Sequence, residues 1–284
     1  MGALAGKVAV ITGASRGIGR GIALALGEQG ATVYVTGRTV EAGTSPLPGT
    51  VGETAADVDQ RGGKGIAAAC DLTDDEQIAA LFDRVRAEQG RLDILVNNAM
   101  AIPPEMTQRL GFWEKPLSNW EIFETGVRAA FIAAWHAAQL MVPRKSGLIV
   151  ALSGYVGVTY TYDTIFGTTK TATDRMMRDI GIELKPHGVA ALSLWQGFTY
   201  TERAQENLRT VPGMAAQLNS AAGSSVEFPG RVIAALAQDP QILARTGGTF
   251  INAELAQEYG VTDIDGRTIP SLREQRGSPL WGPQ

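Results

Sequence analysis

The 284 residues carry 25 lysines and arginines against 29 aspartates and glutamates, a formal net charge of −4, which argues against nonspecific nucleic-acid binding. With 44% hydrophobic and 19% charged residues, the composition suits one globular domain with a sizeable core. A single cysteine, Cys70, excludes an internal disulfide and fits a reducing cytoplasm, and no apolar run is long enough to span a bilayer.

Along the chain, short apolar runs alternate with helical periodicity. Strands are predicted near 7–12, 32–36, 65–69, 92–96, 147–152, 189–194 and 248–252. Helices are predicted near 17–29, 51–61, 75–89, 118–142, 165–185 and 225–238. Met1–Gly6 lacks the apolar core of a signal peptide. The alternation implies an α/β fold, a parallel sheet of about seven strands with helices on both faces. A ligand is then expected beyond the C-terminal strand ends, where strand order reverses. Residues 41–50 (EAGTSPLPGT) form a long Pro/Gly loop after the second strand. Helix 118–142 carries Ala129, Ala130, Ala133, Ala134, Ala137 and Ala138 with Phe131, Ile132 and Trp135 between them. Apolar residues thus occupy nearly its whole circumference, more than one sheet face buries, so an oligomer interface is expected there. His136 in that run reads as a packed or interface histidine, and His187 as a loop residue.

The chemistry begins at the first turn. Lys7–Ile11 leads into Thr12-Gly13-Ala14-Ser15-Arg16-Gly17-Ile18-Gly19, and a buried helix follows. Glycines between strand and helix let a phosphate approach the backbone, and the helix start supplies amides and a positive dipole end. The second strand ends in Gly37-Arg38-Thr39, with no acid to hold a ribose 2′-hydroxyl. Arg38, with Arg16 beside it, suits a 2′-phosphate instead, which favours NADP(H) over NAD(H).

The spacing T-G-x-x-x-G-x-G resembles the short-chain dehydrogenase/reductase family, whose fold is a Rossmann-like doubly wound sheet in a single domain. Further motifs agree. Asp71 and Leu72, in Cys70-Asp71-Leu72-Thr73, resemble the family's adenine-side segment. Asn97-Asn98-Ala99 resembles its N-N-A-G, with Met100 in place of Gly. Gln196-Gly197 stands where Pro-Gly is usual, and residues 198–224 fall where the family carries a substrate lid. The resemblance implies cofactor contacts from Gly13, Ser15, Arg16, Gly17, Ile18, Gly19, Arg38, Asp71, Leu72, Asn97, Asn98, Ala99, Lys170 and Gly197. It also implies a homodimer or homotetramer that pairs helices 118–142 and 165–185. The domain is expected over 1–266, with 267–284 as an extension. Gly260–Gly266 resembles one subgroup less specifically.

In that family a Tyr donates the proton, a Lys four residues later lowers its pKa and holds the ribose, a Ser orients the carbonyl, and an Asn completes a relay. Here Lys170 matches the Lys, but Phe166 stands at the Tyr. A phenyl ring has no proton to give. Ser153-Gly154 replaces Ser-Ser, so by register Gly154 stands at the catalytic Ser, and a shift of one residue brings Ser153 there instead. Gly126 falls at the relay Asn. The changes at Gly154 and Gln196 read as natural divergence, and Phe166 is either part of it or an engineered change on that divergent background.

Substitute acids are Tyr155, Tyr160, Tyr162 and Tyr200, each of which also reads as an aromatic packed on apolar surface. No metal-ligand spacing and no G-x-S-x-G elbow occurs. Three functions stay open: an NADP(H)-dependent oxidoreductase with a relocated acid, a non-redox enzyme on the same scaffold, and a cofactor-binding protein without catalysis. Phe112, Trp113, Tyr155, Trp195, Phe198 and Tyr200 point to an apolar or aromatic substrate of unknown identity.

Overall fold

A computed structural model describes residues 2–210 and 222–284. In chain order its strands are β1 (Val8–Ile11), β2 (Thr32–Gly37), β3 (Lys64–Ala69), β4 (Ile94–Asn97), β5 (Gly147–Gly154), β6 (Val189–Gln196) and β7 (Thr249–Ile251). The principal helices are α1 (Gly17–Glu28), α2 (Val51–Gln60), α3 (Asp75–Gln89), α4 (Ala129–Met141), α5 (Thr164–Leu184), α6 (Glu202–Thr210), α7 (Phe228–Leu236), α8 (Asn252–Glu258) and α9 (Arg273–Arg276). The strands form one sheet in the order β3-β2-β1-β4-β5-β6-β7. Its Val- and Ile-rich strands are buried almost throughout, as a sheet covered on both faces requires.

Contacts cluster into two compact units. The first comprises Met1–Cys70, Gln196–Pro240 and Ile251–Leu272. In it β1 pairs with β2 in parallel (Val8↔Thr32) and β2 with β3 (Thr32↔Lys64). Helix α1 packs closely on the start of α7: a Cβ at Gly21 would meet Val226 O at 1.9 Å, and one at Gly230 would meet Ile22 Cα at 2.6 Å. Helix α2 opens with a capping box, Thr50 accepting from Glu53 N and Glu53 from Thr50 N.

The second unit comprises Asp71–Trp195, Gln241–Phe250 and Arg273–Gln284. Here β4 pairs with β5 in parallel (Ile94↔Leu148). Asp74 caps α3, which stops at left-handed Gly90. The segment predicted as one helix, 118–142, is instead composite. A 3₁₀ turn (Leu117–Trp120) leads through a single α turn (Glu121–Phe123) into a π-helical stretch (Glu124–Arg128), and only then into α4. Pro116 lies just before the first turn, and Gly126 lies within the π stretch. The end of the chain is tied down: Thr249 N donates to Trp281 O, and Gln284 N to Thr246 O. Helices α6, α8 and α9 arise where the periodicity predicted none. Part of the expected lid, 211–221, lies outside the described residues.

Candidate active site

The turn after β1 takes the conformation its glycines allow. Gly13 and Gly17 have φ of 65° and 56°, in the left-handed region that side chains with a Cβ rarely enter. Ala14 N donates to Thr36 O, tying the turn to β2. Helix α1 then starts at Gly17 without a side-chain cap, so its first-turn amides are left for another acceptor. That acceptor is a carboxylate: Gly17 N donates to Glu202 Oε2 at 3.1 Å. An anion thus sits on the amide that the sequence assigned to phosphate, which shows that the turn accepts an anion sterically and electrostatically.

Arg16 and Arg38 divide their roles. The Arg16 guanidinium donates to Pro48 O, Gly49 O and Thr39 Oγ1, so it braces the Pro/Gly loop that follows β2. Its pKa is lowered, first by burial, with Arg38 and Arg203 adding repulsion and Glu202 opposing. Arg38 is exposed. Ser15 is buried beneath this loop, where a Cβ at Gly49 would meet Ser15 O at 2.4 Å. Ile18 is partly exposed and Gly19 buried on the first turn of α1, and Gly197 is exposed after β6.

In the second unit Asp71 Oδ1 accepts from Thr73 N and Oγ1, forming an Asx turn ahead of α3, with Leu72 buried next to it. Asn97 is buried at the end of β4 and donates Nδ2 to Ala130 O, while its Oδ1 has no partner among the described residues. Asn98 and Ala99 follow it, partly exposed.

Helix α5 carries the two residues that the resemblance places at a catalytic face. Asp163 caps it by accepting from Ile165 N, and Phe166 and Lys170 follow one turn apart, both partly exposed. Lys170 Nζ donates to Leu152 O at 2.9 Å. Burial lowers its pKa to about 8, against a smaller opposing pull from Asp174. At the end of β5 the two candidate positions differ in surroundings. Ser153 is buried and donates to Lys170 O at 3.2 Å, and its hydroxyl also reaches Asp174. It is committed to the helix, and Gly154 follows it with extended backbone.

Gly126 has company that explains its lack of a side chain. A Cβ there would lie 2.7 Å from Thr169 Cγ2 and 3.4 Å from Met100 Cγ. Thr169 and Met100 therefore fill the room beside Gly126, the position where the resemblance leads one to expect an asparagine.

The tyrosines separate. Tyr155 is buried with its ring edge-on to Trp195, centroids 5.3 Å apart. Tyr160 is 75% exposed, and Tyr162 has φ of 67° with its pKa raised by burial. In the first unit Tyr200 packs edge-on to Phe198. His136 stacks on Phe82 at 5.5 Å, its pKa lowered mainly by burial, as a packed histidine would be. His187 is exposed and Cys70 buried. Among the described residues no cluster of His, Cys, Asp and Glu could hold a metal, and no helix could cross a membrane.

Two groups escaped the sequence reading. Lys115, 8% exposed, donates Nζ to Met106 O, to Tyr162 O and to Asp163 Oδ2 at 2.8 Å. This buried ion pair ties the loop before the composite helix to the cap of α5. Asp174, also buried, accepts from Ser193 Oγ and from Trp195 Nε1. Neither residue has a sequence signal, because their partners are distant in the chain.

Comparison with known proteins agrees with this geometry. The family model for short chain dehydrogenase matches residues 7–211. Dehydrogenase/reductase SDR family member 1 of Homo sapiens is 39% identical over 274 residues, covering 93% of this chain and 85% of that protein. The Mus musculus protein of the same name is 40% identical over 276 residues, with the same coverage of both chains. A short-chain type dehydrogenase/reductase from Mycobacterium marinum superposes with a TM-score of 0.75 at 26% identity, over 87% of this chain and 94% of the other. A metagenomic short-chain oxidoreductase solved in complex with NADP gives 0.68 at 27% identity, over 84% and 93%. With its seven-stranded parallel sheet, its glycine turn and a family match over most of its length, the chain belongs to the short-chain dehydrogenase/reductase family.

Proposed function

We propose that this chain binds NADP(H) in preference to NAD(H), and that ordinary carbonyl or alcohol redox turnover on it is weak or absent. Phe166 carries this reading. A nicotinamide cofactor, when bound, supplies the hydride of a reduction, but the alkoxide then formed still needs a proton. Phe166 has none, and Gly154 has no hydroxyl to orient a carbonyl. Ser153 supports the reading by pointing its hydroxyl at Lys170 O rather than standing in for Gly154. Tyr155 packs on Trp195, and Tyr160 is largely exposed, so neither is arranged as a substitute acid. Binding is the part that stays intact. The amides of Gly13–Gly19 would hold phosphate, as the Glu202 contact on Gly17 suggests, and exposed Arg38 would take the 2′-phosphate. The solved relative in complex with NADP lends this choice support by analogy.

The test is calorimetry with NADPH and NADH on the wild type and Arg38→Ala. A guanidinium–phosphate contact is worth about 1.5–3 kcal/mol, so the substitution should weaken NADPH binding about 10- to 100-fold and leave NADH nearly unchanged. Equal affinity for the two cofactors, unaffected by the substitution, would remove the preference.

The protein is also proposed to be a homodimer or homotetramer. Phe131 and Trp135 on α4 are 52% and 56% exposed, beside a depression of about 430 Å³ lined with Ile132 and His136. A monomer by light scattering at micromolar concentration would contradict this.

A further inference from the structure

The residue that the altered site leaves with the most unspent chemistry is Lys170. Lys170 is partly exposed as a residue while its amine is buried, and the amine donates to one backbone carbonyl, Leu152 O at 2.9 Å. Among the described residues no carboxylate lies within ion-pair distance of Nζ. The nearest charge on its own helix, Asp174, stands one turn further on and is engaged by Ser153, Ser193 and the Trp195 indole. One turn before Lys170 stands Phe166, which cannot share a proton with it as a phenol would. Gly154, at the strand end beyond Leu152 and Ser153, adds no side chain at all. A buried lysine without an ion-pair partner is the arrangement that turns an ammonium into a nucleophilic amine.

We propose that Lys170 captures small aldehydes or reactive ketones as a reversible imine, a carbonyl-binding activity that requires no cofactor. The step balances without an external redox partner. The ammonium first loses one proton to solvent. The lone pair of the neutral amine attacks the carbonyl carbon, so a C–N bond forms while the C=O π pair moves to oxygen. Nitrogen passes its proton to that oxygen, giving a carbinolamine. Loss of the oxygen as water leaves the C=N bond, and hydrolysis returns both partners unchanged. Leu152 O is placed to accept the N–H that remains on the carbinolamine.

Burial serves this chemistry. The amine's pKa is lowered to about 8 by burial, so a substantial fraction is neutral near pH 7.5, whereas an ordinary lysine near 10.4 is almost wholly protonated. The only charged group pulling the other way is Asp174. Among the other five lysines, Lys64 and Lys145 are exposed, and Lys115 is held by Asp163. They provide the internal standards.

The experiment treats the full-length protein with benzaldehyde, and in parallel with hexanal, in the presence of sodium cyanoborohydride. Reduction of the imine then fixes a benzyl or hexyl group, located by peptide mass spectrometry. At pH 7.5 Lys170 should be labelled at least about ten-fold faster than Lys64 or Lys145, from the greater neutral fraction set by its pKa. Its labelling rate should rise with pH to a midpoint near 8. Lys170→Arg should lose the fast site while keeping the slow ones, with its circular dichroism and melting unchanged. Labelling of Lys170 at the rate of the exposed lysines, or later than them, would overturn the proposal. So would a midpoint near 10. Neither result would touch the NADP(H) reading, which rests on Arg38 and the glycine turn.

Discussion

The carboxylate on the glycine turn makes a prediction that can be worked through. Glu202 Oε2 accepts from Gly17 N at 3.1 Å, at the unfilled start of α1. A cofactor phosphate that takes this amide must first displace Glu202, and it would do so against a like charge. Charged hydrogen bonds contribute about 1.5–3 kcal/mol, but Glu202 is only half-buried, so solvent screening reduces this to about 1 kcal/mol. An equilibrium biased by that amount leaves the amide open about one-sixth of the time, which weakens apparent phosphate binding about six-fold. Glu202→Ala should therefore tighten NADPH binding about 3- to 10-fold, and inorganic pyrophosphate should gain similarly. The gain should shrink as salt rises from about 20 to 150 mM, because the repulsive part is screened. Glu206→Ala provides the control. It removes the same charge from the same helix, but its carboxylate pairs with Arg209 and not with the turn. Calorimetry at both salt concentrations reads all three proteins. Unchanged or weaker binding in Glu202→Ala would refute the argument, because Glu202 would then be neutral or an ally of the cofactor.

Phe166→Tyr combined with Gly154→Ser should raise NADPH-dependent reduction of a generic quinone or aromatic ketone by about 10²-fold or more, since general acid–base catalysis is typically worth 10²–10⁴, with Phe166→Tyr alone achieving less. Wild-type turnover at about 1–10³ s⁻¹ on any such substrate would show that another residue supplies the proton. Adding Gly126→Asn should help only with Met100→Gly and Thr169→Ser, because both neighbouring side chains occupy the room it needs. Lys115→Ala should lower stability by about 3–5 kcal/mol in urea denaturation, the usual cost of leaving a buried carboxylate unpaired, and a loss below about 1 kcal/mol would mean that Asp163 is solvated.

The elements that local pattern controls were legible. Buried strands announce themselves as apolar runs, and α1, α2 and α3 carry helical periodicity. Where pattern and backbone conformation conflict, the reading went astray. Residues 118–142 look uniformly helical because apolar periodicity does not register a π stretch, which adds one residue per turn without changing composition. Helix α6 escaped because it is strongly polar, with no fully buried residue to mark a face. The site divides along the same line. The glycine turn is legible because its glycines fall within one short segment, and Gly13 and Gly17 take the left-handed backbone that favours glycine. The partners of Arg16 are not, since a guanidinium fits a phosphate and a pair of loop carbonyls equally well in a string of letters.

Met100 and Gly126 show what only packing can reveal. Read separately, each is a departure from a family motif, and together with Phe166 and Gly154 they look like accumulated losses. In space they are neighbours. A Cβ at Gly126 would meet Thr169 Cγ2 at 2.7 Å and Met100 Cγ at 3.4 Å, so the room beside position 126 is already filled. An isolated loss of the relay asparagine would leave a cavity with a cost in stability. An asparagine introduced at 126 alone would collide with both of these side chains, so a polar group there requires Met100 and Thr169 to change as well.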